Sequence, residues 1–494
     1  MTNKTGLNGG AAFGMLWISV AVVISKGMSL ITQVALGYLL SVEEFGVFAL
    51  VAGIMAVSGG FQDPGLGKLL VQKQREFAKF FSLALFLSLL LSIFGGGVIL
   101  VVAKLLNNNN EQGDYLNLLF LIALTMPLMS MSLIFKAKVS VDLRFKVISI
   151  ADMVSAIGYG IAVVISALLG MGVYSFVIGI AVLNVFNFFY YFRTAKIKEI
   201  KKPDVKLIGE IWNALKWLVM GSLLVGVSLR GDYLILGELL TEDALGFYYF
   251  GFMLTANLGL LLSQGINGVL MPSFSAMRGD INRMLSAFSR ASSILVLSAG
   301  LLCLLMVVFS PFLVTAIWSG KWDQAIPVAI LMAVTLPLRM LSPLGGALLE
   351  SLGSWKSRVV FLFVDAASLI LSALAGGWLL GLEGAACAVA IQRGTFGLAL
   401  FYRASYELGQ KFTKTFFSVI KYYLPFLLTV SVIFYWGEGV YKPEVSLLGF
   451  ISLCYVSLFS SIAYLLLSFI FNRSGMFEVC SIMSGFIKSR RANV

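Results

Sequence analysis

Fourteen stretches of about twenty or more mostly apolar residues follow one another along this chain, and nothing else limits its fold so strongly. They fall near 13–40, 45–67, 80–103, 115–135, 147–169, 171–192, 213–237, 245–271, 286–317, 325–349, 358–381, 384–402, 418–437 and 446–471. About 20 apolar residues are what a helix needs to cross the roughly 30 Å hydrocarbon core of a bilayer. Inside that core every backbone N–H and C=O must find a partner without water, which helices achieve within one segment. Only 12% of the 494 residues are charged, against about 25% in soluble domains. The expected fold class is therefore an all-α integral membrane protein of about fourteen transmembrane helices.

The charges orient these spans. Loops on one side, together with both ends of the chain, carry 29 of the 36 basic residues, among them Lys68 to Lys79, Lys136 to Lys146 and Arg193 to Lys216. The opposite loops hold only Lys104, Lys321 and Lys442, and carry acids such as Glu43, Glu44, Glu242 and Asp243. By the positive-inside rule the basic side is cytoplasmic, so both termini are expected there. Met1 to Gly10 is polar and the apolar run after it is too long for a signal peptide, so it reads as the first span.

The chain reads as duplicated. Leu36-Gly37-Tyr38-Leu39-Leu40-Ser41 recurs as Leu236-Gly237-Glu238-Leu239-Leu240-Thr241, each at an outer turn between two helices. Pro127 recurs as Pro337, Lys146 as Lys356 and Arg193 as Arg403, all 210 residues on. An even number of spans per copy makes this a parallel repeat, two six-helix lobes related by a pseudo-two-fold axis along the membrane normal. The expected organisation is an N-lobe at 1–195, a basic cytoplasmic linker at 196–212, a C-lobe at 213–405, two further helices at 406–471 and a cytoplasmic tail at 472–494. The basic linker and tail suit anionic lipid headgroups.

Four cations interrupt the apolar segments: Lys26, Arg230, Arg339 and Arg393. A cation at the centre of a membrane helix costs roughly 2.5–3.5 kcal/mol on insertion scales, so such residues face a bundle interior, a partner or a watery cavity. Lysine offers a point charge and arginine a planar fork, and both suit phosphate or carboxylate. At the 200-residue offset Lys26 maps to Gly226 and Arg230 to Leu30, which puts the two cations on one face of equivalent helices. Shared structural ion pairs are the competing reading for each cation, and for Arg230 snorkelling to the interface. Asp232 is a candidate coupling-ion site or charge partner. Asn257 and Gln264 are seven apart on one helical face and form a candidate sugar-contacting stripe, with interhelical hydrogen bonding as the alternative. Asp63, before Pro64 and Gly65, reads as a structural turn, and Asp152 and Asp365 as partners of loop cations.

Several function classes fall away. Histidine is absent, which removes the commonest general base and metal ligand. The four cysteines are scattered without metal or disulfide spacing. No metal, no enzymatic active site and no nucleic-acid stripe is expected, since the net charge of +12 is spread over many short loops.

Phe61-Gln62-Asp63-Pro64-Gly65-Leu66, preceded by Glu44-Phe45-Gly46, resembles the opening of the Wzx-type polysaccharide transport flippases of the multidrug/oligosaccharidyl-lipid/polysaccharide exporter superfamily. Further agreement comes from Phe135-Lys136-Ala137 through Leu143-Arg144-Phe145-Lys146, from Leu270-Met271-Pro272-Ser273-Phe274, and from Gly320-Lys321-Trp322 followed by Ile326-Pro327. The similarity runs over nearly the whole chain and is nearest to the colanic acid exporter branch. It implies an alternating-access transporter in the bacterial cytoplasmic (inner) membrane that moves an undecaprenyl-diphosphate-linked oligosaccharide to the outer leaflet. It implies no cofactor, with H+ or Na+ coupling or the membrane potential as the energy source, and membrane lipids and a polysaccharide polymerase complex as candidate partners. Two alternatives stay open: a drug/cation antiporter of the same superfamily, and a non-transporting scaffold of a glycan-assembly complex.

Overall fold

The computed structural model describes residues 4–109, 115–197, 202–277, 279–436, 446–473 and 476–477. Among the described residues the secondary structure is helix joined by short turns. Twelve described stretches are long and apolar enough to cross a membrane. One of them, Lys356–Glu407, is broken at Leu380 and Gly381 into two arms. With the 35-residue helix Glu242–Ala276, these account for the fourteen expected spans. Parts of the basic linker at 198–201 and most of the tail beyond 473 lie outside the described residues.

The chain divides into two compact units, Met1–Gly237 and Glu238–Val494. The first contains α1 (Lys4–Leu39), α2 (Val42–Gln62), α3 (Leu66–Gln72), α4 (Phe77–Asn109), α5 (Tyr115–Val141), α6 (Phe145–Leu168), α7 (Tyr174–Thr194) and nearly all of α8 (Ile208–Leu239). Helix α1 lies along α6, α4 along α5, and α5 and α6 both against α7. Small residues set these crossings, as expected where lipid supplies no hydrophobic drive between helices. Gly160 of α6 abuts Met28 and Thr32 of α1. The Ser88 and Ser130 hydroxyls meet between α4 and α5, and Asn184 Nδ2 donates to Thr125 Oγ1 at 3.1 Å between α7 and α5. Rings fill one end of the unit, where Phe135 packs among Phe81, Phe188 and Phe192 at centroid distances of 6.3, 6.1 and 5.5 Å.

The two copies of the Leu-Gly motif end on helix caps. Ser41 accepts from the Glu44 amide at 3.1 Å while Glu44 takes the Ser41 amide at 2.7 Å, a reciprocal capping box. The counterpart Thr241 accepts from the Ala244 amide at 3.3 Å. The Asp63-Pro64-Gly65 turn is present as read from the sequence. There Gly65 has φ +79° and donates its amide to Asp63 Oδ1 at 3.1 Å, a left-handed conformation that glycine tolerates without steric cost.

The second unit contains α9 (Glu242–Ala276), α10 (Ile281–Trp318), α11 (Ala325–Arg339), α12 (Leu341–Leu352), α13 (Trp355–Glu407), α14 (Phe412–Trp436) and α15 (Leu447–Phe471). At the turn of α13, Gly381 takes φ +61°. The arms run back along each other with Gly376 and Gly384 backbone to backbone. Helices α14 and α15 pack on α10. Tyr464 of α15 donates to the Leu297 carbonyl at 3.0 Å, reaching it where Gly300 leaves room for the hydroxyl.

Candidate functional site

Three helices of the second unit approach closely because their contact positions are small. Gly251 of α9 faces the Ala325 carbonyl and Val328 of α11, and Gly259 faces Leu336 and Met340. From the other side, Gly397 of α13 lies on the Leu338 carbonyl and the Arg339 backbone, and Gly394 lies on Thr335. Pro337 sits two residues before the end of α11 and lacks the amide that would bond the Ala333 carbonyl. The helix stops at Arg339 and restarts at Leu341.

This packing brings two of the four intramembrane cations to one ring. The guanidinium carbon of Arg339 is 5.4 Å from the centroid of Phe252, and that of Arg393 is 5.0 Å from the same centroid. Arg393 and Phe252 are buried, at 6% and 7% exposure, and Arg339 is half-buried. A guanidinium at such a distance is attracted by the ring quadrupole by about 0.5–2 kcal/mol. Guanidinium forks of this kind can grip phosphate or carboxylate bidentately.

The residue before Arg393 fixes its helix. Gln392 Nε2 donates to Asp365 Oδ1 at 3.0 Å and contacts Ser368 Oγ at 2.9 Å, both on the other arm of α13. Asp365, read from the sequence as a partner of loop cations, thus binds the buried amide beside Arg393. Asn257 is half-buried on α9, five residues beyond Phe252, or about 7.5 Å further along the axis at 1.5 Å per residue. The side chain of Gln264 lies outside the described residues.

The other candidates belong to the first unit. Lys26 is half-buried on α1. Its neighbour Ser25 donates to the Asp152 carbonyl of α6 at 3.2 Å, while the Asp152 carboxylate takes Lys136 Nζ at 3.2 Å. Among the described residues no carboxylate stands within ion-pair distance of Lys26. Arg230 interrupts α8, with φ −146° and ψ 16° inside an otherwise helical run, and its carbonyl faces Gly53 of α2. Asp232, two residues on, is fully buried. Gly226, which the repeat aligns with Lys26, lies so close to the Ala56 carbonyl of α2 that no side chain fits there. Among the described residues there is no cluster of three or more potential metal ligands.

Sequence reasoning passed over Phe252 and Gln392. Nothing marks Phe252 among 39 phenylalanines, because its role comes from what α11 and α13 bring to it. Gln392 did carry a signal, a second polar residue beside Arg393 in an apolar span.

Known structures share this stack of membrane helices. The chain superimposes on the lipid II flippase MurJ in an inward closed conformation with a TM-score of 0.69 and 16% identity, covering 93% of this chain and 99% of that one. An inward-facing multidrug resistance MATE family transporter of the MOP superfamily follows with a TM-score of 0.63 and 14% identity, covering 80% of this chain and 98% of that one. In sequence, the lipopolysaccharide biosynthesis protein WzxC of Escherichia coli (strain K12) is 22% identical over 368 residues, 72% of this chain and 73% of WzxC. Residues 35–327 match the family described as polysaccharide biosynthesis protein, and the chain belongs to that family.

Proposed function

We propose that this protein is a flippase that carries a polysaccharide repeat unit on undecaprenyl diphosphate from the cytoplasmic to the outer leaflet of a bacterial inner membrane. The observation that carries the reading is the pair Arg339 and Arg393 on Phe252 in the interior of a membrane-helix bundle. It is supported by membership of a polysaccharide biosynthesis family and by the likeness to WzxC. On this reading the protein is a transporter with no catalytic centre, and both termini are cytoplasmic.

The arginines and Lys26 hold the anionic headgroup and first sugars, with Asn257 and Gln264 contacting the glycan, while the polyprenyl tail stays in lipid. Two six-helix lobes, 1–195 and 213–405, rock about the site, to which Arg230 at its helix break also contributes. An inside-negative potential of about 100 mV favours outward movement of each negative charge by roughly 2.3 kcal/mol, so a doubly charged diphosphate gains about 4.6 kcal/mol if it crosses the full field. Asp232 can bind H+ or Na+ to reset the empty carrier. A polymerase complex on the outer side is the natural consumer of the product.

The test is leaflet translocation of a fluorescent undecaprenyl-diphosphate oligosaccharide in proteoliposomes, with and without an imposed potential. Wild type is expected to transport faster with the interior of the donor side negative, and Arg393→Gln and Arg339→Gln to lose at least tenfold. Equal rates in wild type and both variants would remove the arginines from the site. A folded wild type that moves a cationic drug instead would assign the chain to antiport.

A further inference from the structure

A cavity of about 360 Å³ opens at one end of the second unit, between the start of α14 and the end of α15. Its walls are Thr413, Lys414, Ser418 and Lys421 of α14, with Tyr422 and Asn472 among the residues that close it. Lys414, Ser418 and Lys421 are spaced four and three apart and so share one helical face. Among its described lining residues there is no carboxylate. The cavity therefore carries two positive charges and several hydrogen-bonding groups, with no acid among its described lining residues.

Its floor is built. Asn472, 4% exposed, donates its amide to Ser293 Oγ of α10 at 2.7 Å, and the Tyr422 hydroxyl, on a residue 7% exposed, meets Ser289 at 3.4 Å. Both contacts fix the polar residues against α10. The rim is different: Lys414 and Lys421 are exposed. Lys421 stands ten residues into a helix of spanning length, where a lysine extends its ammonium toward the headgroup layer and keeps its stem in apolar surroundings. Below the cavity the outer faces are bare hydrocarbon. Phe416 and Phe417 of α14 and Tyr455, Phe459, Leu466 and Phe469 of α15 are all exposed.

A pocket rimmed by two exposed lysines, beside exposed apolar helix faces, matches one kind of molecule. We propose that it is a binding site for an anionic glycerophospholipid, whose phosphate sits between Lys414 and Lys421 and whose acyl chains lie along α14 and α15. Lysine suits this ligand as a compact point charge that binds phosphate without demanding one orientation. A flat basic patch would attract anionic lipid diffusely, whereas an open concavity with a fixed polar floor gives one molecule a defined seat. The site stands apart from the transport reading and does not depend on it.

Native mass spectrometry of the full chain tests this, after release from detergent containing equal phosphatidylglycerol and phosphatidylcholine. Wild type is expected to retain one phosphatidylglycerol in preference to phosphatidylcholine. Lys414→Gln/Lys421→Gln should weaken that retention roughly 30-fold, the change expected from about 1 kcal/mol per basic residue at a membrane surface. Lys414→Arg/Lys421→Arg should restore it, which separates lost charge from lost folding. Undiminished phosphatidylglycerol in the double Gln variant, or equal retention of phosphatidylcholine by wild type, would overturn the proposal. Displacement of the lipid by millimolar inorganic phosphate would overturn it too, in favour of a soluble anion.

Discussion

Arg339 and Arg393 lie on different helices and hold their guanidinium carbons 5.4 and 5.0 Å from the centroid of the same phenylalanine ring, Phe252. The arrangement depends on glycines at 251, 259, 394 and 397, which let α9, α11 and α13 come close enough for the long side chains to meet. The ring does for two cations what water does elsewhere: it offers negative potential to each. Each arginine has further interactions beyond the ring, so the site is a network rather than an isolated pair.

Phe252→Leu keeps an apolar side chain of similar depth and removes the quadrupole. We expect a loss of about 1–4 kcal/mol in unfolding stability, from two cation–π contacts of about 0.5–2 kcal/mol each, together with slower translocation. Thermal unfolding in detergent and the proteoliposome assay measure the two effects. A variant as stable and active as wild type would mean the ring is a bystander.

Lys26→Gln separates a transport cation from a structural one. Removing one partner of a buried ion pair costs about 3–5 kcal/mol, but Lys26 has no carboxylate partner among the described residues. The expected result is unchanged or slightly raised thermal stability with reduced translocation. A large drop in stability would show a structural lock.

Gly226 and Gly221 on α8 make a matched pair. A methyl group at Gly226 runs into the Ala56 carbonyl of α2, whereas one at Gly221 meets nothing within 4 Å. Gly226→Ala should destabilise by about 1–3 kcal/mol through overpacking, and Gly221→Ala should be neutral or stabilise by up to about 1 kcal/mol through helix propensity. Denaturation midpoints of the two variants decide it, and equal values would sink the close α2–α8 crossing.

Asp152→Asn should matter little. Its ion pair with Lys136 spans 3.2 Å between side chains 34% and 49% exposed, and such pairs contribute about 0–1 kcal/mol. Translocation and melting temperature are both expected to stay near wild type. A transport defect with normal folding would give Asp152 a role on the substrate path.

The sequence by itself determined the number of spans, the break at Asp63-Pro64-Gly65, the paired outer turns at Ser41 and Thr241, and the positions of the four intramembrane cations. Those are local properties: apolar run length against bilayer thickness, a helix-stopping proline and glycine, a short motif repeated at a fixed offset. Only the tertiary structure decided which cations share a site. Arg339 and Arg393 meet because glycine contacts place α11 and α13 against α9, and no spacing in the chain encodes that crossing. It also decided that Arg230 sits at a helix break, which periodicity could not reveal because periodicity assumes an unbroken helix. Gly226, aligned with Lys26 by the repeat, is pressed against Ala56, so duplicated helices keep their frame while packing redistributes their charges.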